Sequence, residues 1–350
     1  MCLSADANGA ASHAAASVTV ARGTRREGAL ANMRRSMAQR IFVSIASYCD
    51  PVLSFTLERA VAMAFDPARL HFGIVDQAPP GGARESAPAP ARTSLVQLPA
   101  RDARGPCWAR ALAMSLHDGE QWFLQLDSHM DFDEGWDQRL VEQALALGAP
   151  ARPLVISSYP DAFVFEQGQV VHRPTTTGVL AQVLKPDVTF APDHPVLSFQ
   201  AVPAESTLAL PAFHVGAGCL FAPGRITHEV PYDPWLYFHG EEQALALRLY
   251  TRGWDLFHMP ALPVYHLYND AASGAPPRPL HWDEQQEAAR DHGWWPLEQR
   301  ARTRLAALVA GADLGVYGLG LERSIADFAA FSGIDYANRS LAPGAFVPRA

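Results

Sequence analysis

Lysine is almost absent from this sequence. Of its 350 residues, 28 are lysine or arginine and 36 are aspartate or glutamate, and Lys185 is the single lysine. The formal net charge is therefore -8 at neutral pH. A protein that binds nucleic acid through its phosphates needs a dominant basic face. The acidic balance argues against a nucleic-acid partner.

Cysteine and long apolar runs are also scarce. The cysteines form no Cys-x-x-Cys pair, and this spacing fits a reduced compartment better than a disulfide framework. They are Cys2, Cys49, Cys107 and Cys219. There is no run of about 18 apolar residues, so no transmembrane segment is expected. The first 40 residues also lack the continuous apolar core of a secretory signal. We therefore expect a cytoplasmic protein.

The composition divides the chain into three parts. Residues 1–39 are rich in small residues interrupted by arginine, and we expect a disordered leader or a misassigned start, with Met33 or Met37 as the true first residue. The arginines leave open a peripheral contact with an anionic membrane. The whole chain is 49% hydrophobic, enough to bury a core without disulfide or metal staples. We predict a catalytic unit over 40–275 and a C-terminal helical extension over 276–350 that packs on it.

Apolar, β-branched runs alternate with helix-compatible periodicity in the first half of the chain. Strands are predicted at 40–47, 70–75, 94–98 and 122–126, and helices at 53–64, 105–116 and 136–147. This alternation predicts an α/β fold with a mostly parallel sheet flanked by helices. Ligands of such sheets bind at the carboxyl ends of strands, which directs attention to the polar clusters Ser44–Asp50 and Asp127–Asp131.

The second half is less regular. Residues 160–211 are proline-rich and are predicted to be irregular, with weak strands near Val155, Val196 and Phe199. Further elements are a strand at 212–221, an amphipathic helix at 240–251, a strand at 255–258, and helices at 283–292, 297–310 and 324–331.

The segment QWFLQLDSHMDFDEGWD, residues 121–137, carries the strongest chemical signal. Asp127 and His129 follow a strand that is predicted to be buried, and two residues apart they project to the same side. A carboxylate and an imidazole held in this way suit a divalent cation. The alternative is that the acids only begin the helix at Trp136. Five acids with no intervening base also create a negative field that a cation would relieve.

Two further segments carry candidate residues. In residues 237–266, His266 could supply a third metal ligand or be structural, and Glu241 and Glu242 could serve the site or match the helix dipole. Trp254 and Tyr250 of this segment are predicted to be core residues. In RGPCWAR, residues 104–110, Gly-Pro begins a helix whose amides and Arg110 suit an anionic diphosphate, or simply mark a helix start.

Taken together, several segments resemble the family of cytoplasmic hydroxyproline N-acetylglucosaminyltransferases. The Asp-Ser-His element and the downstream Gly-Glu-Glu helix are the specific features, and the helix and following histidine are also similar to those of polypeptide N-acetylgalactosaminyltransferases. The matching segments are IFVSIASYCDP (41–51), GPCWAR (105–110), LQLDSHMDF (124–132), FHGEEQALALRLYTRGWDLF (238–257), VYHLY (264–268) and LGLERSIADFAAFSGIDY (319–336).

The resemblance implies a GT-A fold, a UDP-sugar donor, a divalent cation such as Mn²⁺ or Mg²⁺, and retention of anomeric configuration. By position, Asp127, His129 and His266 correspond to metal ligands, and Glu241 or Glu242 to the acid on the sugar side. The residues that the resemblance assigns to donor binding are Ser44, Ala46, Ser47, Tyr48, Arg110, Asp127 and Ser128.

The expected activity is therefore metal-dependent transfer of a sugar, GlcNAc in the first instance, from a UDP-sugar to a hydroxyl. The expected acceptor is a saccharide, a lipid-linked glycan or a protein that carries hydroxyproline. Two alternatives remain open. One is a metal-dependent phosphoester or pyrophosphate hydrolase that uses the same ligands. The other is an inert nucleotide-sugar-binding module. Cys49 and Asp131 leave this alternative open because they depart from the family's pattern.

Overall fold

The computed structural model describes residues 39–79, 81–82, 85–175 and 178–349. Within it, Arg40–Ala350 forms one compact unit. The predicted leader falls, but for Gln39, outside the described residues. No helix in the described ranges combines the length and apolarity needed to cross a bilayer.

An eight-stranded mixed sheet organises the unit. In spatial order its strands are β11 (Leu210–Ala212), β13 (Asp255–His258), β6 (Leu154–Ser157), β12 (Cys219–Pro223), β4 (Trp122–Leu126), β1 (Ile41–Tyr48), β2 (Leu70–Ala78) and β3 (Arg92–Pro99). The pairs β4–β1, β1–β2, β2–β3 and β6–β13 are parallel, whereas β12 is antiparallel to both neighbours and β11 to β13. The predicted α/β class with a mostly parallel sheet is confirmed.

Strand β1 shows why the sheet is covered on both faces. Ile41, Val43 and Ile45 pack in one apolar layer, and Phe42 packs in the layer on the opposite face. A strand without an exposed face needs a continuous apolar run, and the sequence IFVSIASY supplies it. Because β1 lies between β2 and β4, its carboxyl end opens at the middle of the sheet edge.

The helices cover both faces of this sheet. In chain order they are α1 (Leu53–Ala62), α2 (Pro106–Met114), α3 (Trp136–Ala146), α4 (Ile226–Glu229), α5 (Glu241–Thr251), α6 (Glu284–Ala288), α7 (Trp294–Val309) and α8 (Ile325–Ser332). Helices α1 and α3 contribute to the layer with Ile41, and α2, α5 and α7 to the layer with Phe42. The predicted amphipathic character of α5 is wrong, because nine of its eleven residues are buried under α7 and the C-terminal segments.

Two smaller sheets occupy the region that was predicted to be irregular. Strands β5 (Met130–Phe132), β14 (Val264–His266), β7 (Asp161–Glu166) and β8 (Gln169–Arg173) form one sheet, and β9 (Val179–Leu184) pairs with β10 (Phe199–Ala204). The prediction for 160–211 is therefore wrong, since β7 to β10 and most of β11 lie there. Val155 and Phe199 do lie in strands, whereas Val196 does not. The predicted strand over 212–221 is in fact the last residue of β11, a loop and the start of β12.

The C-terminal segment packs on the sheet unit through α7. Leu297, Ala301, Leu305 and Leu308 on this helix share an apolar cluster with residues of α2, α5 and β12. The segment ends in α8 and a short pair of strands, β15 (Ile334–Asp335) and β16 (Ser340–Leu341). The three predicted C-terminal helices all exist, with α6 shorter than expected.

Candidate active site

Asp127, His129 and His266 converge where β4 and β14 end. His266 Nε2 lies 3.3 Å from Asp127 Oδ2 and 3.0 Å from His129 Nε2, and His129 Nε2 lies 3.8 Å from the same carboxylate oxygen. One ligand atom from each residue lies within 4.8 Å of the others. We call these residues the Asp-His-His group. One carboxylate and two imidazoles form a ligand set suited to a divalent transition metal such as Mn²⁺.

The fold brings these ligands together across a long stretch of chain. Asp127 follows β4 directly, and β14 pairs antiparallel with β5 so that His266 lies opposite Met130. The Leu267 amide also donates to the His129 carbonyl over 3.0 Å. At Gly218 an added Cβ would lie 2.6 Å from Asp127 Oδ2, so a larger residue there would force the carboxylate to move.

Asp50 contacts His129 on the side of the imidazole that faces away from Asp127 and His266. Its Oδ2 accepts hydrogen bonds from His129 Nδ1 over 2.7 Å and from Ser128 Oγ over 2.6 Å. Burial alone would raise the pKa of Asp50, but these hydrogen bonds and the adjacent imidazole outweigh burial and lower it. A carboxylate on the second nitrogen is the usual way to orient a metal-binding imidazole. Sequence reasoning placed Asp50 in a strand-end polar cluster but assigned it no role.

Arg110 links the Asp-His-His group to helix α5. One guanidinium nitrogen donates to Asp127 Oδ1 over 2.6 Å, and another donates to Glu241. Tyr232 also donates to Glu241. Burial raises the pKa of Glu241 even though Arg110 and Tyr232 oppose the shift. The pKa of Asp127 shifts in the opposite direction. Burial would raise its pKa, but the His266 hydrogen bond and the Arg110 charge hold it well below its usual range.

Glu242, the next residue, faces another direction. Its carboxylate accepts from the Ala217 amide over 2.8 Å and from Tyr159 Oη over 3.0 Å, and it lies 3.3 Å from His214 Nε2. The His214 ring stacks on Phe199 at 3.5 Å between centroids. Burial would raise the pKa of Glu242, but His214 and the amide lower it. Tyr159 and His214 come from segments without a sequence motif, so no local signal marked them.

Two cavities meet at Arg110, Asp127 and Phe238. The first, the β1 cavity, has a volume of about 300 Å³ and includes Ser47 and Tyr48 on its wall. The second, the α5 cavity, has a volume of about 440 Å³ and lies against the start of α5. Both glutamates and His266 line the α5 cavity, and His129 lines the β1 cavity. The Asp-His-His group therefore lies at their junction.

The predicted site residues divide between these walls with one exception. Ala46, Ser47, Tyr48 and Ser128 line the β1 cavity. Ser44 does not line either cavity. It is 1% exposed in the middle of β1, where the sheet and helices cover it. Its predicted role in donor binding has no geometric basis.

The five acids of residues 127–137 do not form the negative field that was expected. Arginines pair with four of them. Besides Arg110 with Asp127, the pairs are Arg59 with Asp131 at 2.5 Å, Arg139 with Asp133 at 2.7 Å, and Arg69 with Asp137 at 2.8 Å. The Asp131 carboxylate also lies 2.7 Å from His172 Nε2, within hydrogen-bond distance. Of these acids, only Asp127 belongs to the Asp-His-His group. These arginines are distant in sequence or on another helical turn, so the local pattern did not reveal them.

The far wall of the β1 cavity comes from beyond residue 275. Arg278 and His281 line it, and both are at least nine-tenths buried. Arg278 donates to the Leu267 carbonyl over 2.6 Å. Burial and Arg290 lower the pKa of His281 to about 3, so its imidazole is neutral. Sequence reasoning missed both residues because it ended the catalytic unit at 275.

A family profile described as Glycosyltransferase (GlcNAc) matches residues 40–91 and 82–338. No significant match is found among curated protein sequences. A structure of GalNAc-T7 with UDP, GalNAc and Mn²⁺ aligns with a TM-score of 0.50 at 13% identity, over 84% of this chain and 55% of that one. This chain therefore spans about half the length of that protein.

A second solved structure is more distant. It is Staphylococcus aureus TarS 1-349 in complex with UDP-GlcNAc, with a TM-score of 0.41 at 12% identity, over 79% of this chain and 68% of that one. The resemblance to GalNAc-T7 shows a shared GT-A fold. The family profile spans most of the described residues, and the chain belongs to the GlcNAc glycosyltransferase family.

Proposed function

We propose that the protein transfers a sugar, GlcNAc in the first instance, from a UDP-sugar to an acceptor hydroxyl with retention of configuration. The observation that carries this proposal is the position of the Asp-His-His group between two cavities. A nucleotide sugar has its diphosphate in the middle, so two cavities joined at a cation site match its shape. The GalNAc-T7 structure, which holds UDP, GalNAc and Mn²⁺, supports the classes of donor and cation.

The donor is proposed to lie across both cavities. The uridine occupies the β1 cavity beside Ser47, Tyr48 and Ser128, and the sugar enters the α5 cavity. The diphosphate lies near Arg110 and the start of α2, where helix amides favour anions. A divalent cation bound by Asp127, His129 and His266 would supply Lewis-acid stabilisation of the charge on the departing phosphate. Two imidazoles in the ligand set favour Mn²⁺ over Mg²⁺, which prefers oxygen.

The chemical step needs no protein nucleophile. The acceptor oxygen forms a bond to the anomeric carbon on the face from which UDP leaves, and the bond from that carbon to the β-phosphate oxygen breaks with its electron pair on UDP. The acceptor proton passes to the departing phosphate oxygen. The protein's task is to position both reactants and stabilise charge.

We assign different roles to the two glutamates. Glu241 is 3% exposed and is committed to Arg110 and Tyr232, so it acts as a positioning residue for Arg110. Glu242 lies on the cavity wall among Tyr159, His214 and the Ala217 amide. It is proposed to bind a hydroxyl of the donor sugar or of the acceptor. The proposed acceptor is a saccharide, a lipid-linked glycan or a protein with hydroxyproline.

The test is turnover of UDP-GlcNAc and other UDP-sugars with Mn²⁺, over a panel of hydroxyl acceptors. D127A and H129A should reduce turnover by at least 100-fold, and excess EDTA should do the same to the wild type. H228A is the matched control, because His228 is exposed on α4 and is not one of the cavity-wall residues. Full activity in EDTA would refute the metal role, and acceptor-independent release of sugar as the main reaction would favour the hydrolase.

A further inference from the structure

The α5 cavity contains the chain's single lysine. Lys185 lines this cavity and is exposed to solvent just after β9, at the end of the β9–β10 pair. Its amide donates to the Ser198 carbonyl over 3.0 Å, and its carbonyl accepts from the Val188 amide over 3.2 Å. The backbone therefore holds the lysine at the cavity, while the side chain remains available.

The other basic groups on this wall already have acidic partners. Arg110 is bound by Asp127 and Glu241. His214 lies beside Glu242, His239 lies 3.2 Å from Glu298, and His266 belongs to the Asp-His-His group. Among the described residues, the Lys185 ammonium has no acidic partner within ion-pair distance. It is the uncommitted positive charge of the α5 cavity.

The acids of the cavity are correspondingly engaged. Glu241 is paired with Arg110, and Glu242 receives two hydrogen bonds in addition to His214. The Asp127 carboxylate is paired with the side chains of Arg110 and His266. The electrostatic face that the cavity offers to a molecule arriving from solvent is therefore positive at Lys185. An ammonium on a flexible stem binds phosphate or carboxylate as a point charge, without the fixed geometry that arginine imposes.

We propose that Lys185 recognises an anionic group, a phosphate or a carboxylate, on the acceptor. This inference rests on the proposed function, because it takes the α5 cavity as the place where the acceptor meets the donor sugar. It narrows the acceptor class to a hydroxyl-bearing molecule with a negative charge near the reacting hydroxyl. A neutral acceptor would leave the Lys185 ammonium without a partner and would gain nothing from it.

The scarcity of lysine permits a direct test that does not depend on turnover. N-Hydroxysuccinimidyl acetate reacts chiefly with amines, and Lys185 carries the one side-chain amine of this sequence. With UDP and Mn²⁺ present, methyl glucoside 6-phosphate and methyl glucuronide should each slow acetylation of Lys185 severalfold, as measured by peptide mass spectrometry. Neutral methyl glucoside at the same concentration should not. Comparing the phosphate with the carboxylate shows which anion is preferred.

The variant R300K supplies an internal control. Arg300 is exposed on α7 and lines a different surface cavity. The introduced amine should react at the same rate with and without the anionic glucosides. Equal protection of both amines would show that the effect is nonspecific, and no protection of Lys185 would overturn the proposal.

Kinetics give the second readout. K185A should raise KM for an anionic acceptor roughly tenfold with little change in kcat, as expected for loss of one charge-assisted hydrogen bond, and K185R should restore part of the affinity. Binding of UDP, measured by calorimetry, should be unchanged. If wild-type protein binds no UDP, the proposed function fails, and the assignment of the Lys185 anion to an acceptor fails with it. If UDP binds and acceptor charge has no effect, only this inference fails.

Discussion

At the scale of single residues, Asp50 offers a test of how the proposed cation site is organised. It contacts His129 and Ser128 but does not belong to the Asp-His-His group. D50A should weaken Mn²⁺ binding by roughly 10- to 100-fold, because the His129 imidazole loses the acceptor that fixes its orientation. D50N retains an acceptor oxygen and should lose less. Titration of Mn²⁺ by calorimetry measures both, and unchanged affinity in D50A would contradict the assigned role.

The two glutamates at the start of α5 should respond differently to substitution. E242A should reduce kcat by at least tenfold while binding of UDP and folding remain near normal, since Glu242 lies on the cavity wall.

E241A should instead destabilise the fold by roughly 3 kcal/mol, because Arg110 would lose one of the two carboxylates that compensate its buried charge. Urea unfolding and steady-state kinetics on both variants separate these effects. Loss of stability in E242A with none in E241A would reverse the assignment.

Residue chemistry was predictable where it was local. Asp127 and His129 lie two positions apart directly after an apolar strand, and the sequence predicted that they face one site. In the structure both lie in the bend between β4 and β5, where their side chains approach to 3.8 Å. The acids at 131, 133 and 137 looked equivalent in sequence, yet arginines from other turns and helices neutralise each of them. Ser44 looked similar to Ser47, yet it lies too deep in β1. Depth and distant ion pairs are properties of packing, which a sequence pattern does not contain.

At the scale of secondary-structure elements, His258 connects strands of two sheets. It ends β13, its Nδ1 donates to the Ser157 carbonyl of β6, and its Nε2 accepts from the Gln182 amide of β9. Burial, together with the nearby charge of His214, lowers its pKa from 6.5 to about 4. The imidazole is therefore neutral in the folded protein and is protonated more easily in the unfolded chain.

This arrangement predicts a pH dependence of stability. Between about pH 6.5 and 4, His258 is protonated in the unfolded chain but stays neutral in the folded protein. The free energy of unfolding should therefore fall as pH falls, by roughly 3 kcal/mol from this residue. H258Q cannot titrate, and its stability should change less over the same range. Urea unfolding at pH 7 and pH 4.5 gives the comparison. Parallel pH profiles for wild type and H258Q would contradict it.

Secondary-structure prediction succeeded for strands made of a buried apolar run and failed for short, partly exposed strands. The spans of β4 and β13 agree with the sequence prediction because each is a short run with clear polar limits. Strands β7, β8 and β10 are partly exposed and lie among prolines, so their apolar content does not separate them from loop. Their pairing partners, and not their own composition, make them strands. Helix α5 looked amphipathic because burial by later segments is invisible locally.

At the scale of the whole molecule, the C-terminal segment is expected to unfold with the sheet and not as a separate domain. Leu305 is fully buried, and its Cδ2 lies 2.7 Å from where a Cβ on Gly240 would be, directly before α5. L305A should lower the free energy of unfolding by about 3 kcal/mol through the cavity it leaves.

Because the cluster is shared, we expect one cooperative transition by both fluorescence and circular dichroism, shifted as a whole in L305A. T303A, on an exposed position of the same helix, should change stability by less than about 0.5 kcal/mol. Two separate transitions in the wild type would show that the extension is an independent domain.

His266 follows His129 by 137 residues, and Arg278 and His281 come later still. During synthesis from the N-terminus, β1 to β4 can pair long before these residues leave the ribosome, but neither the third member of the Asp-His-His group nor the far wall of the β1 cavity yet exists. Closing such a long loop is also costly in chain entropy and comes late in folding. A partly made chain therefore has no complete candidate site, and the two joined cavities exist only when the segments from β1 to His281 have all folded.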